Sequence, residues 1–355
     1  MTEDSCARSE SLNSAFNDIG WLGSDQSIID RCSYFLTDTD IAELKEVSEY
    51  VRSIDKKPIE ELRPEDAPLS SFGNVLCRVR DELERGHGLQ IIRGFPISSH
   101  QPNDIARLFW LVGLHLGKAI PQNPQGELIS SVRDARNLNS VPARPVRGYQ
   151  TNEALPFHSD SCDVVGLLCL SESLNGGVSM LASCAAIHEH LLRNEPDVLK
   201  ALYDPYYIDR RGEGAKPGTS YYATPIFMKH CGRLFSRFNP GYVYAAQRSP
   251  DVPRLAGRQL KAMKRFHELC NSEKFKLQMD LRVGDLQLLN NNVVVHARSA
   301  YQDGNEKGAQ RHLLRMWLMT NNLENIPPQM RDRYEDMESW RVRAHVPKLS
   351  GEKEY

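Results

Sequence analysis

Several features that commonly betray a function are scarce or missing in this sequence. Its 355 residues carry eight cysteines (Cys6, Cys32, Cys77, Cys162, Cys169, Cys184, Cys231, Cys270) with no CxxC pair. That argues against a disulfide framework and a zinc ribbon, and leaves reduced, mostly buried thiols as the expectation. The apolar run Val164 to Leu170 is far shorter than the roughly 20 residues of a membrane-spanning helix. Charge of one sign is missing too: 44 basic residues stand against 46 acidic ones, a formal net charge of −2, so no global field recruits nucleic acid or an anionic membrane. No internal repeat, low-complexity tract, glycine-rich phosphate loop or GxSxG nucleophile elbow occurs, which argues against repeat arrays, P-loop enzymes and α/β-hydrolases. Met1 to Gly20 is rich in Ser, Asp, Glu and Asn and lacks the apolar core of a signal peptide. A frayed tail over 1–25 and a cytoplasmic protein are the corresponding expectations.

What is present is an ordinary globular composition, 40% hydrophobic and 25% charged, sufficient for one large core with attachments across 26–355. The N-terminal part, about 39–118, is mainly helical by its periodicity. Ile41, Leu44, Val47, Tyr50 and Val51 recur at helical spacing behind Thr39 or Asp40 as the cap. Phe72, Val75, Leu76, Val79 and Leu83 do so before a left-handed stop at Gly86, and a third apolar helix runs from Asn103 to Gly117. Leu89 to Arg93 reads as a strand between them. Pro121 to Tyr149 reads as loops at the mouth of a barrel, with Gln122, Asn123 and Arg133 as candidate contacts. Val164 to Leu170 and Val178 to Ser183 read as adjacent buried strands. The aromatic, basic stretch 206–248 reads as an insertion lying over the barrel, a candidate lid. Strands recur at 276–281, 286–290, 293–299 and 311–319, and a short helix near 331–342 ends the chain. The fold class is mainly β with flanking helices.

The chemistry concentrates in three places. His158 and Asp160 flank Ser159, so on an extended backbone both project to one side and preset two metal ligands. His296 ends the β-branched run Val293-Val294-Val295, where an unpaired imidazole is costly and a metal would satisfy it. By contrast, His188-Glu189-His190 falls in a helical stretch, where residues two apart diverge by about 200° and cannot share an ion. In Arg311-His312-Leu313-Leu314-Arg315 the arginines share one strand face in apolar surroundings, with no acid on the strand to meet them. An anionic cosubstrate is the economical partner for two buried guanidinium groups. Two imidazoles and one carboxylate leave about three open metal positions, the pattern of non-haem Fe(II) oxygenases.

With these residues in place, the sequence resembles the Fe(II)/2-oxoglutarate-dependent dioxygenases of the TauD/TfdA (taurine dioxygenase), clavaminate synthase-like superfamily, from about Leu89 to Leu318. The resemblance implies a double-stranded β-helix, or jelly roll. It implies Fe(2+) held by His158, Asp160 and His296, with 2-oxoglutarate and O2 as cosubstrates. Arg311 and Ser179 would bind the distal carboxylate of 2-oxoglutarate, and Arg315 its other end or an anionic substrate group. Gln150, Asn152 and Arg298 would border the pocket of a small polar substrate, amino-acid-like or carboxylated. Hydroxylation is the default outcome, with desaturation, epoxidation or ring formation available to the same triad. Asp160 disfavours halogenation, because halogenating members have a small non-ligating residue there. The alternatives are a jelly-roll protein that binds metal or a small acid without turnover, and a zinc hydrolase, for which no general-base motif is evident. The expected partner is a small molecule, with neither nucleic acid nor membrane, and no segment specifies an oligomeric state.

Overall fold

Alternation along the strand His312–Met319 sets the layering. Leu314, Met316 and Leu318 enter a core shared with helices, whereas Trp317 enters a second core between two sheets, as the two-residue period of a strand requires. The computed structural model describes residues 16, 18–53, 57–66, 68–97, 102–135, 147–212, 219–306, 308–320, 325–340 and 344–345. Ser33–Phe35, Leu89–Arg93, Leu286–Asn290, Val164–Ser171, His312–Met319 and Lys118–Ile120 lie side by side in that order, and Ile129–Val132 also pairs with His312–Met319. A second sheet orders Leu277–Met279, Ser179–Ser183, Val294–Arg298 and Leu155–His158, antiparallel throughout.

From Leu155 onward the chain crosses repeatedly from one sheet to the other, which is the winding of a double-stranded β-helix. Val164–Ser171 and Ser179–Ser183 are therefore not neighbours, as their closeness in sequence suggested; they lie in different sheets. The two residues Gly176 and Gly177, at φ +76° and +74°, belong to the connection between them, where left-handed backbone is free of steric cost.

Helices Asp38–Ser53, Ser71–Arg85 and Pro102–Leu116 cover the outer face of the larger sheet. The first is capped at Thr37, two to three residues earlier than its sequence suggests. Thr37 Oγ1 accepts from Asp40 N (3.2 Å), and the Asp40 carboxylate accepts from Thr37 N (2.9 Å), a reciprocal capping box. The second helix ends at Gly86 with φ −99°; the left-handed residue is Gly88, at φ +71°. On the far side, Ala182, Val295 and Ala297 of the smaller sheet meet helices Cys184–Asn194, Pro196–Leu202 and Gly257–Asn271.

The 206–248 stretch forms two hairpins, Pro205–Asp209 with Tyr221–Pro225 and Phe227–His230 with Arg233–Ser236, followed by helix Pro240–Ala246. Its Tyr206, Phe227 and Phe238 are buried in the same core as Phe266. Cys32, Cys162, Cys169, Cys184 and Cys270 are buried free thiols and Cys77 an exposed one; Cys231 is disulfide-bonded, against the expectation of reduced thiols throughout. No helix among the described residues is long and apolar enough to cross a membrane.

Candidate iron and cosubstrate site

His158 ends its strand directly opposite His296 on the neighbouring strand, which brings the two imidazole centroids to 4.4 Å. Asp160 lies two residues beyond, past the strand end, with Oδ1 3.7 Å from His158 Nε2 and Oδ2 3.8 Å from His296 Nε2. The three ligand atoms all lie within 4.8 Å of one another. His158 Nδ1 contacts the Pro156 carbonyl at 2.9 Å. As a donor there, it leaves Nε2 a bare lone pair aimed at the other two residues.

Because the strand stops at His158, other elements must hold Asp160 in place. Its backbone N–H donates to Asn291 Oδ1 (2.8 Å) and its Oδ2 accepts from Trp317 Nε1 (3.0 Å). Arg237 is buried and donates from Nη1 to the carbonyls of Ser159 (2.8 Å) and Asp160 (2.7 Å), and from Nη2 to Ser161 Oγ (2.5 Å). Burial alone would raise the Asp160 pKa. The Arg315 guanidinium, 3.8 Å away, and the two imidazoles outweigh it and hold the carboxyl far below the usual range. Burial, helped by His158, pushes His296 down to about 3. The set therefore presents a carboxylate and neutral imidazole, the protonation states in which these side chains ligate metal, and the donors fit an Fe(II) ion with open positions.

The triad lines a cavity of about 280 Å³ that also admits Ser179, Arg298, Arg311 and Arg315. Arg311 is 7% exposed and its Nη1 has no hydrogen-bond partner, while burial pushes its pKa down. It passes over Gly177: a Cβ there would stand 2.8 Å from Arg311 Nε, so the glycine is what leaves room for the guanidinium. The Ser179 hydroxyl accepts from Gln287 Nε2 at 3.1 Å. Arg315 is held by Gln122 Oε1 (2.6 Å) and stacked 4.3 Å from the Tyr149 ring.

Of the remaining candidates, Arg298 lines the cavity, and its Nη2 serves the carbonyls of Thr151 (2.7 Å) and Glu153 (2.5 Å). Burial, then the neighbouring Arg311, lowers it to about 10. Gln150 and Asn152 stand outside the cavity lining: Gln150 Oε1 accepts from Arg147 N (3.1 Å), and the Asn152 carbonyl accepts from Tyr301 N (3.0 Å). The His188/His190 pair is separated as helix geometry demands, His188 Nε2 meeting Tyr203 Oη at 2.9 Å and His190 turning to Asn194. Arg237, Trp317, Asn291, Arg211 and Tyr242 escaped sequence reasoning. For Arg237, Arg211 and Tyr242 the only signal was an aromatic, basic composition in 206–248, which does not say which of its residues turns inward; Asn291 and Trp317 lie in the late β part, where nothing local announces their bonds to Asp160.

Residues 55–317 match the family described as "Taurine catabolism dioxygenase TauD, TfdA family". The chain belongs to this family. Among curated relatives, FR-33289 synthase of Streptomyces rubellomurinus (strain ATCC 31215) is 32% identical over 320 residues, covering 87% of this chain and 91% of that protein. The taurine hydroxylase-like protein SAT17 of Stachybotrys chartarum (strain CBS 109288 / IBT 7711) is 25% identical over 325 residues, 88% and 82% of the two chains. The same fold occurs in an asparagine oxygenase solved with Fe(II), 3-hydroxyasparagine and succinate, with a TM-score of 0.63 at 18% identity, covering 82% of this chain and 94% of that one. It occurs also in the non-haem iron oxygenase OrfP with Fe and α-ketoglutaric acid, with a TM-score of 0.59 at 18% identity, covering 81% and 94%. With its His-Asp-His triad, this TauD/TfdA member is a non-haem Fe(II)-dependent oxygenase acting on a small molecule.

Proposed function

We propose that the enzyme couples oxidative decarboxylation of 2-oxoglutarate to oxidation, by default hydroxylation, of a small polar molecule, with His158, Asp160 and His296 as the iron ligands. The observation that carries the cosubstrate is Arg311 Nη1, a buried guanidinium nitrogen without a partner in the cavity that holds the triad. An isolated cation is costly to bury, and a carboxylate is the group whose geometry matches it. Arg311 and Ser179 hold the distal carboxylate, and Gln287 orients the serine hydroxyl. Arg315, tied to Gln122 and facing Asp160, serves as a fixed positive charge beside the metal ligands and the near end of the cosubstrate.

Bound iron supplies the O2-dependent oxidising chemistry that no side chain here possesses. The protein's own contribution is placement. Arg237, Asn291 and Trp317 fix the Asp160 loop. Arg298 ties the 151–153 turn against the cavity, and Gln150 and Asn152 support that turn without bordering the substrate. Desaturation and ring formation demand the same placement, so product mass is the discriminating observable.

Anaerobic addition of Fe(II) and 2-oxoglutarate is expected to produce a weak visible charge-transfer band in the wild type. The band should be lost in His296→Ala and accompanied aerobically by succinate release. Folded, iron-loaded wild type without the band would sink the proposal.

A further inference from the structure

Among the described residues the cavity is lined by five arginines, Arg147, Arg211, Arg298, Arg311 and Arg315, against Asp160 as the one carboxylate. On the reading proposed above, the two positive charges of Fe(II) cancel the two negative charges of 2-oxoglutarate, so the loaded cavity keeps a large positive excess. Four of these arginines have partners: Arg298 Nη2 meets two backbone carbonyls, although its buried Nε and Nη1 have none, Arg311 meets the cosubstrate on the reading above, Arg315 meets Gln122 and Asp160, and Arg147 Nη1 meets the Gln122 carbonyl at 3.4 Å.

Arg211 differs. No carboxylate among the described residues pairs with it. Two acids line the adjoining recess: Asp209 accepts from the Arg211 backbone N–H (2.6 Å) and faces Arg248 at 3.5 Å, and Asp336 is taken by Arg210 Nε at 2.8 Å. Arg211 adopts φ +55°, a left-handed conformation uncommon for a residue with a side chain. Its guanidinium lies 5.5 Å from the Tyr242 ring centroid, a cation–π arrangement that orients the group while leaving its N–H fork free. Arg211, Tyr242, Arg147, Ser161 and Trp317 also line a small side recess that Arg311, Ser179 and the three metal ligands do not reach. The Arg211 side of the cavity is therefore separate from the cosubstrate end.

We infer that Arg211, stacked on Tyr242, is the specificity-determining contact for an oxyanion on the substrate. The substrate class is thereby a compact organic acid, carboxylate or phosphoryl, whose body lies among Tyr149, Leu155 and Trp317. The cavity is near the lower end of the roughly 300 to 1,000 Å³ typical of small-molecule sites, so cosubstrate and substrate together must be small. The 205–248 stretch then supplies substrate choice, and the two sheets supply iron and 2-oxoglutarate. The assignment rests on the cosubstrate reading above.

The test uses the anaerobic Fe(II)·2-oxoglutarate enzyme and reads its visible band and its melting temperature. The probes are monocarboxylates from propionate to hexanoate, each paired with its amide, and inorganic phosphate as the tetrahedral oxyanion. Acids are expected to perturb the band and raise the melting temperature where the amides do not. Arg211→Gln should weaken the acids about tenfold, as loss of a partly exposed charged hydrogen bond predicts. Arg211→Lys should retain part of the binding, and the affinity for 2-oxoglutarate, read on the same band, should not follow. Amides that bind as well as acids, a wild type that binds no acid, or an unchanged Arg211→Gln would each overturn the inference while leaving the cosubstrate reading intact. A wild type with no band at all would instead remove the cosubstrate reading, and this assignment with it.

Discussion

Two buried arginines, Arg237 behind the Asp160 loop and Arg311 in the cavity lining, have different surroundings. Arg237, 1% exposed, spends its Nη atoms on the Ser159 and Asp160 carbonyls and the Ser161 hydroxyl. Arg311, 7% exposed, lines the cavity and keeps a buried Nη1 without a partner. Burial alone therefore does not mark a functional arginine. Arg237 Nε also lacks a partner, so what sets Arg311 apart is that its unpartnered Nη1 belongs to a residue lining the cavity, whereas the Nη fork of Arg237 is spent on the chain.

The strongest way to break this comparison is at Arg237. Its replacement in Arg237→Met leaves the backbone oxygens of the metal loop unmet, and a loss of about 3 kcal/mol or more of folding stability is expected. Iron affinity should fall with it, which chemical denaturation and anaerobic Fe(II) titration would show together. Arg311→Ala should do the reverse: an unchanged melting temperature in the absence of ligand, with the 2-oxoglutarate requirement raised roughly 10- to 100-fold in a succinate assay. Equal stability losses in both variants would erase the distinction.

The histidines offer a milder version of the same contrast. His188 is fully buried away from the triad, and burial, with Lys229 adding to it, pushes its pKa down to about 3. Its folded pKa lies below the unfolded value, so the unfolded state binds the proton first. Stability is full above about pH 6.5 and declines as pH falls toward 3, by about 1.4 kcal/mol per pH unit for this one group. His188→Asn should flatten that part of the stability profile, measured by denaturant midpoints between pH 7 and 4, and a slope that persists unchanged would assign it to other groups.

Local rules made part of this site legible in the sequence. Arg311 and Arg315 were placed on one inward face by strand alternation, and Leu313 and Trp317 line the same cavity with them. His158 could be nominated by its two-residue spacing to Asp160, and His296 because an imidazole at the end of an apolar strand demands a partner. The sheet partners of Val164–Ser171 and Ser179–Ser183 were misjudged because proximity in sequence favours a hairpin, whereas the glycine-bearing connection carries the chain across to the other sheet. Asp160 was expected on an extended strand. It lies beyond the strand end, and what aims it is a set of hydrogen bonds from residues 77 to 157 positions away. Arg237 and Arg211 were invisible for the same reason, since their meaning depends on where the 205–248 stretch returns to the cavity.

The props of the metal loop also impose an order on how the enzyme comes into being. A growing chain that has reached Arg298 already owns all three iron ligands. It still lacks Trp317, which grips Asp160, and the helix Arg331–Trp340, whose Arg333 donates to the Cys162 carbonyl and whose Tyr334 donates to Asp163 Oδ1. Metal capture and folding are linked when the ligands are organised only by the native structure. The segment that carries the iron ligands is thus completed by parts of the chain that come later, so a chain ending before Arg331 is expected to bind metal more weakly, which anaerobic Fe(II) titration of such a truncation would check.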